Sequence, residues 1–424
     1  MFPAFSTALS ALTADSAAID VTGNNLANLD TTGFKASQVN FYDVMAETLG
    51  GAGGSQVGGG VLPISTFTNY SQGAITSTGV STDAAIQGNG FFVLQNADNQ
   101  NLYTRDGSFQ MNSNGYLVDA NGNYVQGWLA NNGAVTASGP ISDIQVPTNS
   151  SMAASATTNM SMNVNLDATS SSSPNTYSAS IQVYDSLGNP QTLTVTFTQS
   201  TTTPDSWSYA VTIPSSALTS GTGTSGTGTS GTSSVATGTL TFNSSGQLTS
   251  PAAGSPIALT VTGLADGAAN MNVNWNLYNS SGTAQITQYS EASAENSTTQ
   301  DGYAAGRLTG MTLGAGGTVS ASYSNGQNVA IAQLALANIS NPNSLTQVGN
   351  NDLEASTSTA APVLGAAGSG SLGQIEGSAL ESSTVDMATE FTNLLAYQNS
   401  YQAASKVIST ADQLIQDTMG LIRS

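Results

Sequence analysis

The sequence has no histidine and no cysteine among its 424 residues. Their absence excludes disulfides, thiol nucleophiles, histidine-based acid/base chemistry and the zinc, haem and iron–sulfur sites that use these side chains. A glycosidase needs only two carboxylates and stays open as an alternative, but no pair of acids stands out in the sequence. We therefore predict a protein that is not an enzyme and that uses no metal or cofactor.

Positive charge is also scarce. Five Lys and Arg residues against 25 Asp and Glu residues give a net charge of −20, and 7% of the residues are charged where about 25% is usual. No basic stripe can neutralise a run of phosphates, so we expect no nucleic-acid partner. We expect Arg105 to pair locally with Asp106. The five cations are Lys35, Arg105, Arg307, Lys406 and Arg423.

The chain has no run of about 18 apolar residues, and its first residues include neither a basic segment nor a continuous apolar one. We expect no membrane insertion and no cleavable signal peptide. The surface must consist largely of Ser, Thr, Asn and Gln, unlike that of typical cytosolic proteins. This composition favours work outside the cell, in an acidic medium where protonated carboxylates carry less charge.

Large apolar residues recur at every seventh position near both ends of the chain. This spacing is typical of helices that pack along one another, so we predict two terminal helices that form an assembly interface. Ser383 and Asp386 have the spacing of a capping pair before the second helix. The predicted interface residues are Phe5, Leu12, Ile19 and Leu26 at the N-terminus, and Met387, Leu394, Tyr401, Val407, Ile408, Leu414, Ile415, Leu421 and Ile422 at the C-terminus.

Between the helices, apolar and polar residues alternate in short runs that turn residues separate. The pattern is typical of antiparallel strands with one buried face. Ile181 and Leu193, for example, lie on either side of a turn around Gly188. A Gly-Thr-Ser repeat cannot bury apolar area, and it predicts a flexible loop over 219–237.

These patterns predict a mainly β fold with long helical termini and two nested antiparallel β domains. Gly-rich stretches join the helices to the interior, and Gly58, Gly59 and Gly60 are the candidate hinge. The predicted parts are a coiled-coil-like inner helical domain at 1–34 and 380–424, a connecting region at 35–69 and 365–379, a middle β domain at 70–145 and 297–364, and an inserted outer β domain at 146–296.

Two short motifs match functional patterns only in part. Asp119, Asn121 and Asn123 have the spacing of the first three ligands of a calcium loop, but the glycine and the closing carboxylate of such a loop do not follow. A hairpin turn explains these residues better. Residues 221–226 match the letters of the dinucleotide fingerprint, but no helical pattern follows, so we predict no cofactor site there.

Longer motifs occur in three places. Residues 17–35 read AAIDVTGNNLANLDTTGFK and residues 103–109 read YTRDGSF. Residues 391–395 and 406–412 read FTNLL and KVISTAD. Together these motifs resemble those of the bacterial flagellar rod, hook and hook-associated axial proteins.

The segment from Ile181 to Pro190 is similar to the opening of the outer domain in the hook branch of this family, whereas distal-rod proteins are shorter and lack such an insert. The resemblance implies a structural subunit of the hook, with a distal-rod-type protein as the alternative within the family. A secreted β-rich adhesin or carbohydrate-binding protein is the alternative from another class. It leaves the heptads at both termini unexplained.

The resemblance also implies location and partners. Subunits of this kind polymerise with themselves into a curved hollow tube, part of the extracellular flagellum and its basal body, which transmits torque as a universal joint. They are exported by the type III apparatus, and their neighbours are the distal rod protein, the hook cap and the hook–filament junction protein. Because ordering a helix costs about 1–2 kcal/mol per residue, we expect the terminal helices to become ordered on assembly.

Overall fold

The computed structural model describes residues 3–44, 47–49, 55–61, 65–131, 133–148, 151–169, 174–219 and 231–422. The chain divides into two compact units. The first comprises Met1–Thr148, Gly310–Ser322 and Asn328–Ser424, and the second comprises Asn149–Thr309 and Tyr323–Gln327. None of the helices in the described ranges is long and apolar enough to cross a bilayer.

Two long helices come from the ends of the chain, as the heptads predict: α1 (Pro3–Ala27) and α2 (Met387–Ile422). Asp386 caps α2, because its Oδ1 accepts a hydrogen bond from the backbone N–H of Thr389 at 2.8 Å. The predicted capping pair is wrong in its first member. Ser383 instead accepts a bond from the backbone N–H of Val385 at 3.3 Å, before the helix begins.

After α1, the first unit continues with short strands. In chain order they are β1 (Ser37–Asn40), β2 (Glu47–Leu49), β3 (Ser55–Val57), β4 (Ser65–Thr68), β5 (Ile75–Ser77), β6 (Ala84–Gln87), β7 (Phe91–Gln95), β8 (Asn101–Thr104), β9 (Gln110–Met111), β10 (Leu117–Val118), β11 (Tyr124–Leu129) and β12 (Ser142–Asp143). The predicted hairpin is confirmed, because Val118 pairs with Tyr124 and Gly122 takes a φ of +87° between them.

The second unit is built from longer strands. They are β13 (Asn159–Asp167), β14 (Thr176–Tyr184), β15 (Pro190–Gln199), β16 (Ser206–Pro214), β17 (Thr232–Phe242), β18 (Leu248–Ser250), β19 (Ile257–Val261), β20 (Met271–Asn276), β21 (Ile286–Tyr289) and β22 (Ala294–Gln300). The predicted turn around Gly188 is confirmed, since Ile181 pairs with Leu193 across it. The predicted loop at 219–237 is too long, because its last residues pair with β16 as part of β17; residues 220–230 lie outside the described residues.

The chain then returns to the first unit with β23 (Leu308–Leu313), β24 (Thr318–Tyr323), β25 (Asn328–Leu334), β26 (Leu336–Asn338), β27 (Leu345–Gly349), β28 (Asp352–Ala355), β29 (Val363–Gly365), β30 (Gln374–Gly377) and β31 (Ala379–Glu381). A large sheet has the strand order β23-β24-β25-β11-β7-β8-β28-β27. It combines strands that precede the second unit in the chain with strands that follow it. β30 and β31 pair with β6 and β5. β30 lies in the predicted connecting region at 365–379, so part of that region forms a sheet.

Two sheets of the second unit share one apolar core. One has the order β14-β15-β16-β17-β18, and the other has the order β19-β20-β13-β21, with β22 also paired to β13. The pairs of β13 with β20 and β21 are parallel, which differs from the predicted antiparallel pattern. Trp207 and Trp275 are fully buried between the sheets. The alternating residues of the sequence thus supply the two inner faces of a sandwich.

The Trp275 ring is the test of this core. It packs edge-on against Tyr209 and Phe197, with ring centroids 5.4 and 6.2 Å apart. We expect Trp275→Ala to lower the free energy of unfolding by about 3–5 kcal/mol, because it removes a large buried side chain. Leu187→Ala, at an exposed turn position, is the control and should change it by less than about 0.5 kcal/mol. Equal effects in urea denaturation would show that the core is wrongly placed.

Candidate assembly interface

The buried side chains of α1 are small or polar. The two helices pack along each other, and the buried positions of α1 follow a three- or four-residue spacing that defines one helix face. We call this face the α1 seam. Its residues are Ala8, Ala14, Asp15, Ala18, Thr22 and Asn25. Small side chains allow two helix backbones to approach closely, so the seam favours intimate packing within one chain.

Asn25 fixes the end of α1. Its Nδ2 donates to Glu390 Oε1 of α2 at 3.1 Å and to the backbone carbonyl of Ser37 at 2.7 Å. The backbone N–H of Ser37 donates back to Asn25 Oδ1 at 2.9 Å. Burial raises the pKa of Glu390, and the bond from Asn25 opposes that shift. Because the last turns of α1 meet the first turn of α2, the helices run antiparallel.

The predicted interface residues of α1 lie beside the seam and not in it. Phe5, Leu12, Ile19 and Leu26 are all half-buried in the single chain. The heptad pattern selects large apolar residues and therefore does not identify the buried alanines of α1. The four large side chains keep part of their surface available for another molecule.

The predicted residues of α2 fall into two groups. Leu394, Ile408 and Ile415 are half-buried in the single chain. The other described members are exposed: Met387, Tyr401, Val407 and Leu414. The side chains of Leu421 and Ile422 lie outside the described residues. The described part of the C-terminal heptad therefore contains both half-buried and exposed apolar residues.

Three exposed apolar residues of α2 were not predicted from the sequence: Phe391, Leu395 and Met419. Phe391 and Leu395 follow Met387 at four-residue intervals, and Leu395 is 60% exposed. Residues four apart share one helix face, so Met387, Phe391 and Leu395 form a stripe. The spacing of Phe391 and Leu395 was available in the sequence, but the heptad register that starts at Met387 skips both of them.

A buried carboxylate connects α1 and α2 to the sheets. Glu381, at the end of β31, is fully buried, and its Oε1 lies 2.6 Å from Lys35 Nζ. Its Oε2 lies 3.3 Å from Arg105 Nη1. The backbone N–H of Gly73 also donates to Oε1, at 2.7 Å. We call Lys35, Arg105 and Glu381 the ion triad.

The triad corrects the prediction for Arg105. Its guanidinium pairs with Glu381 and donates to the carbonyl of Gly88 at 2.9 Å, whereas Asp106 accepts bonds from Ser108. Burial lowers the pKa of both Lys35 and Arg105, and the charge of Glu381 opposes the shift in each case. No sequence signal could have found Glu381, because it lies far from both cations along the chain.

Backbone bonds align the chain ends beside the triad. The N–H of Gly33 donates to the carbonyl of Glu381 at 2.8 Å, and the N–H of Ala36 donates to Thr384 Oγ1 at 2.9 Å. Gly33 has a φ of +68°, and a side chain there would meet the backbone of Arg105 and Asp106. The segment that leaves α1 and the segment that enters α2 are therefore fastened side by side.

The three candidate hinge glycines differ in their surroundings. Gly58 and Gly59 are exposed, and a Cβ on Gly58 would meet no atom. Gly60 has a φ of +96°, and a Cβ there would overlap the Ser10 hydroxyl of α1. The Ser10 hydroxyl also accepts a bond from the N–H of Val61 at 3.2 Å. The chain at Gly60 is thus held against α1, while that at Gly58 is not crowded.

Family models match four ranges of the chain. The model of the flagella basal body rod protein matches residues 5–35, and that of the flagellar hook protein FlgE/F/G D1 domain matches 85–166. The flagellar basal body protein FlaE D2 domain matches 147–303, and the flagellar basal body rod FlgEFG protein C-terminal model matches 376–421. The matched ranges include nearly all of both helices and most of the second unit.

Relatives of similar length match from end to end. The flagellar hook protein FlgE of Escherichia coli is 32% identical over 435 residues, which cover 99% of this chain and 100% of the relative. The chain belongs to the flagellar hook protein family. Another relative, FlgE of Salmonella typhimurium, is 33% identical over 436 residues, covering 98% of this chain and 99% of the relative.

A solved member of the hook family, flagellar hook protein FlgE2 of Helicobacter pylori, is 14% identical, with a TM-score of 0.49; the match covers 71% of this chain and 99% of that one. Family membership makes the chain a structural subunit of the bacterial flagellar hook. Within the described residues, no cluster of three or more acids could hold a metal ion.

The ion triad gives a direct test of how the chain ends are held. We expect Glu381→Gln to lower the free energy of unfolding of the first unit by about 3–5 kcal/mol, because it leaves two buried cations without their anion. Differential scanning calorimetry of the full-length protein would measure the loss. Glu376→Gln, at an exposed position of β30, is the matched control and should have little effect. An unchanged free energy of unfolding in Glu381→Gln would show that the triad does not help to hold the chain ends in place.

Proposed function

We propose that this hook subunit polymerises into a curved hollow tube through the apolar surfaces of α1 and α2, and that the tube transmits torque between rod and filament. The observation that carries the proposal is the apolar surface of α2. Leu395 is 60% exposed, Leu414 is 67% exposed and Met419 is 61% exposed. Soluble monomers rarely expose contiguous apolar surface, and helices that do so are typical of assembly interfaces.

In this proposal, α1 makes contacts within the chain through its buried residues and contacts between copies through its half-buried residues. The alanines of the seam are buried in the single chain, while Phe5, Leu12 and Ile19 stay half-buried beside the seam. Neighbouring copies would cover these side chains together with the exposed residues of α2. Burial contributes about 25 cal/mol per Å² of apolar surface. Assembly would then supply the burial that a single chain lacks.

The net charge of the chain also favours apolar contacts between copies. The net charge of −20 makes copies of the chain repel one another, and this repulsion is screened beyond about 10 Å at 0.1 M salt. Contacts between copies must therefore be mostly apolar or neutral. The exposed apolar residues of α2 satisfy this requirement.

The partners and the route of export are part of the proposal. We propose contacts with the distal rod protein at one end of the tube, with the hook cap during growth and with the hook–filament junction protein at the other end. The chain would leave the cell unfolded through the type III apparatus, without a cleavable signal. The absence of cysteine supports this route, because no disulfide has to be broken before export. The matches to hook proteins favour this function over an adhesin.

Leu414→Asp tests the proposed contact. We expect it to prevent tube formation, because a buried carboxylate without a partner is costly at every copy of the interface. Both β units should remain folded. Gln413→Asp adds the same charge at the neighbouring exposed position and should still allow assembly. Negative-stain electron microscopy of purified protein is the readout, and tubes formed by Leu414→Asp would contradict the proposed interface.

Gly58→Ala tests the hinge. Alanine restricts the backbone more than glycine does, and no atom near Gly58 would clash with it. We expect straighter tubes with a reduced mean curvature in electron micrographs. Gly310→Ala, at another uncrowded glycine with ordinary φ, should leave the curvature unchanged. Unaltered curvature in Gly58→Ala tubes would remove Gly58 from the hinge.

A further inference from the structure

Two carboxylates of the first unit converge on the same pair of amides. Asn123 Nδ2 donates to Asp119 Oδ2 at 2.9 Å and to Asp352 Oδ2 at 3.1 Å. Asn121 Nδ2 lies 3.3 Å from each of the same two oxygens. The turn between β10 and β11 is thereby connected to the first residue of β28. The two strands are far apart in sequence, so this cluster is a clamp between distant parts of the sheet.

Both carboxylates are buried, with Asp119 9% exposed and Asp352 5% exposed. Asp119 Oδ1 is already occupied by the backbone N–H groups of Asn121 and Asn123, each at 2.8 Å. The donors that reach both Oδ2 atoms are neutral amides. Within the described residues, neither carboxylate forms a salt bridge.

The other charged groups near Asp352 do not neutralise it. Asp106, after β8, adds a further negative charge. Lys35, Arg105 and Tyr70 line the same cleft of about 350 Å³ as Asp352, but both cations bind Glu381. The groups that face Asp352 are therefore Asp119, Asp106, Lys35, Arg105 and Tyr70, and the cations among them are engaged elsewhere.

Two buried carboxylates that share the same two amide donors resist simultaneous ionisation, because each disfavours the charge of the other. Burial, followed by the charge of Asp119, raises the pKa of Asp352 to about 7. A proton on Asp352 removes the repulsion across the clamp. Ionisation restores the repulsion while leaving the amide donors unchanged.

We propose that Asp352 is protonated in the folded protein under mildly acidic conditions, and that its ionisation towards neutral pH loosens the clamp between the β10–β11 turn and β28. The first unit then contains a junction that is strengthened by acid. The scarcity of other charge in the chain leaves few groups that could mask the effect.

The direction follows from linkage between protonation and folding. The pKa of Asp352 rises from its ordinary 3.8 to about 7 on folding, so the folded protein holds a proton that the unfolded chain releases. The stability contributed by this proton is fully present below about pH 4 and is lost as pH rises to about 7. Most other carboxylates contribute in the opposite sense when they are paired.

Hydrogen exchange on the full-length protein tests the clamp locally. Exchange rates of peptides that cover 117–125 and 352–355, corrected for the intrinsic effect of pH, give protection factors near about pH 5 and about pH 8 in buffer with EDTA. We expect the wild-type protection of both peptides to fall about tenfold or more between these conditions. Peptides from β15 in the second unit serve as the internal reference and should not change.

Asp352→Asn mimics the protonated side chain. We expect its protection to be independent of pH and, near about pH 8, to exceed that of the wild type. Asp119→Asn removes the repulsion from the other side but leaves Asp352 buried, so it should weaken the pH dependence without abolishing it; this second variant keeps the test valid if Asp352→Asn folds poorly. Asp98→Asn, at an exposed turn position, is the matched control and should behave as the wild type does.

Three results would overturn the proposal. The first is a wild-type protection that does not change with pH, and the second is a pH dependence that persists in Asp352→Asn. The third is a wild-type pH dependence that appears with EDTA and vanishes with added calcium, because a bound cation would then replace the proton as the neutralising group.

Discussion

One buried carboxylate holds the ends of this chain in place. Glu381 forms ion pairs with Lys35 and Arg105 and accepts a hydrogen bond from the backbone N–H of Gly73. The chain has five cations in all, so two of them are committed to a site that solvent does not reach. A buried ion pair is costly unless its geometry and hydrogen bonds are complete. Here they bring the exit of α1 and the entrance of α2 to one place on the sheets.

The pairing of the helices follows from that arrangement. Once their adjoining ends are fixed, α1 and α2 lie antiparallel, and Asn25 meets Glu390 at the first contact. The buried positions of α1 include the alanines of the seam, whereas Leu395 and Leu414 of α2 are 60% and 67% exposed. A hook subunit that is complete in its β units and incomplete in its helices is suited to polymerisation.

The sequence predicts what local periodicity controls. The terminal helices, the pairing of Ile181 with Leu193 and the hairpin at Gly122 all follow from spacing and turn chemistry. Contacts between distant segments do not. Glu381 carries no local signal of its partners, and the heptad search favoured large residues over the alanines of the seam. Family motifs supplied the function, while the structure supplied the division between intrachain and exposed faces.

The central claim is that α2 completes its packing only in the assembled tube. Hydrogen exchange of the full-length monomer and of assembled tubes, compared peptide by peptide, tests it most directly. The account predicts that residues 391–419 exchange rapidly in the monomer and slowly in the tube, while β14–β16 exchange equally in both. Strong protection of residues 391–419 in the monomer, or no gain in the tube, would contradict it.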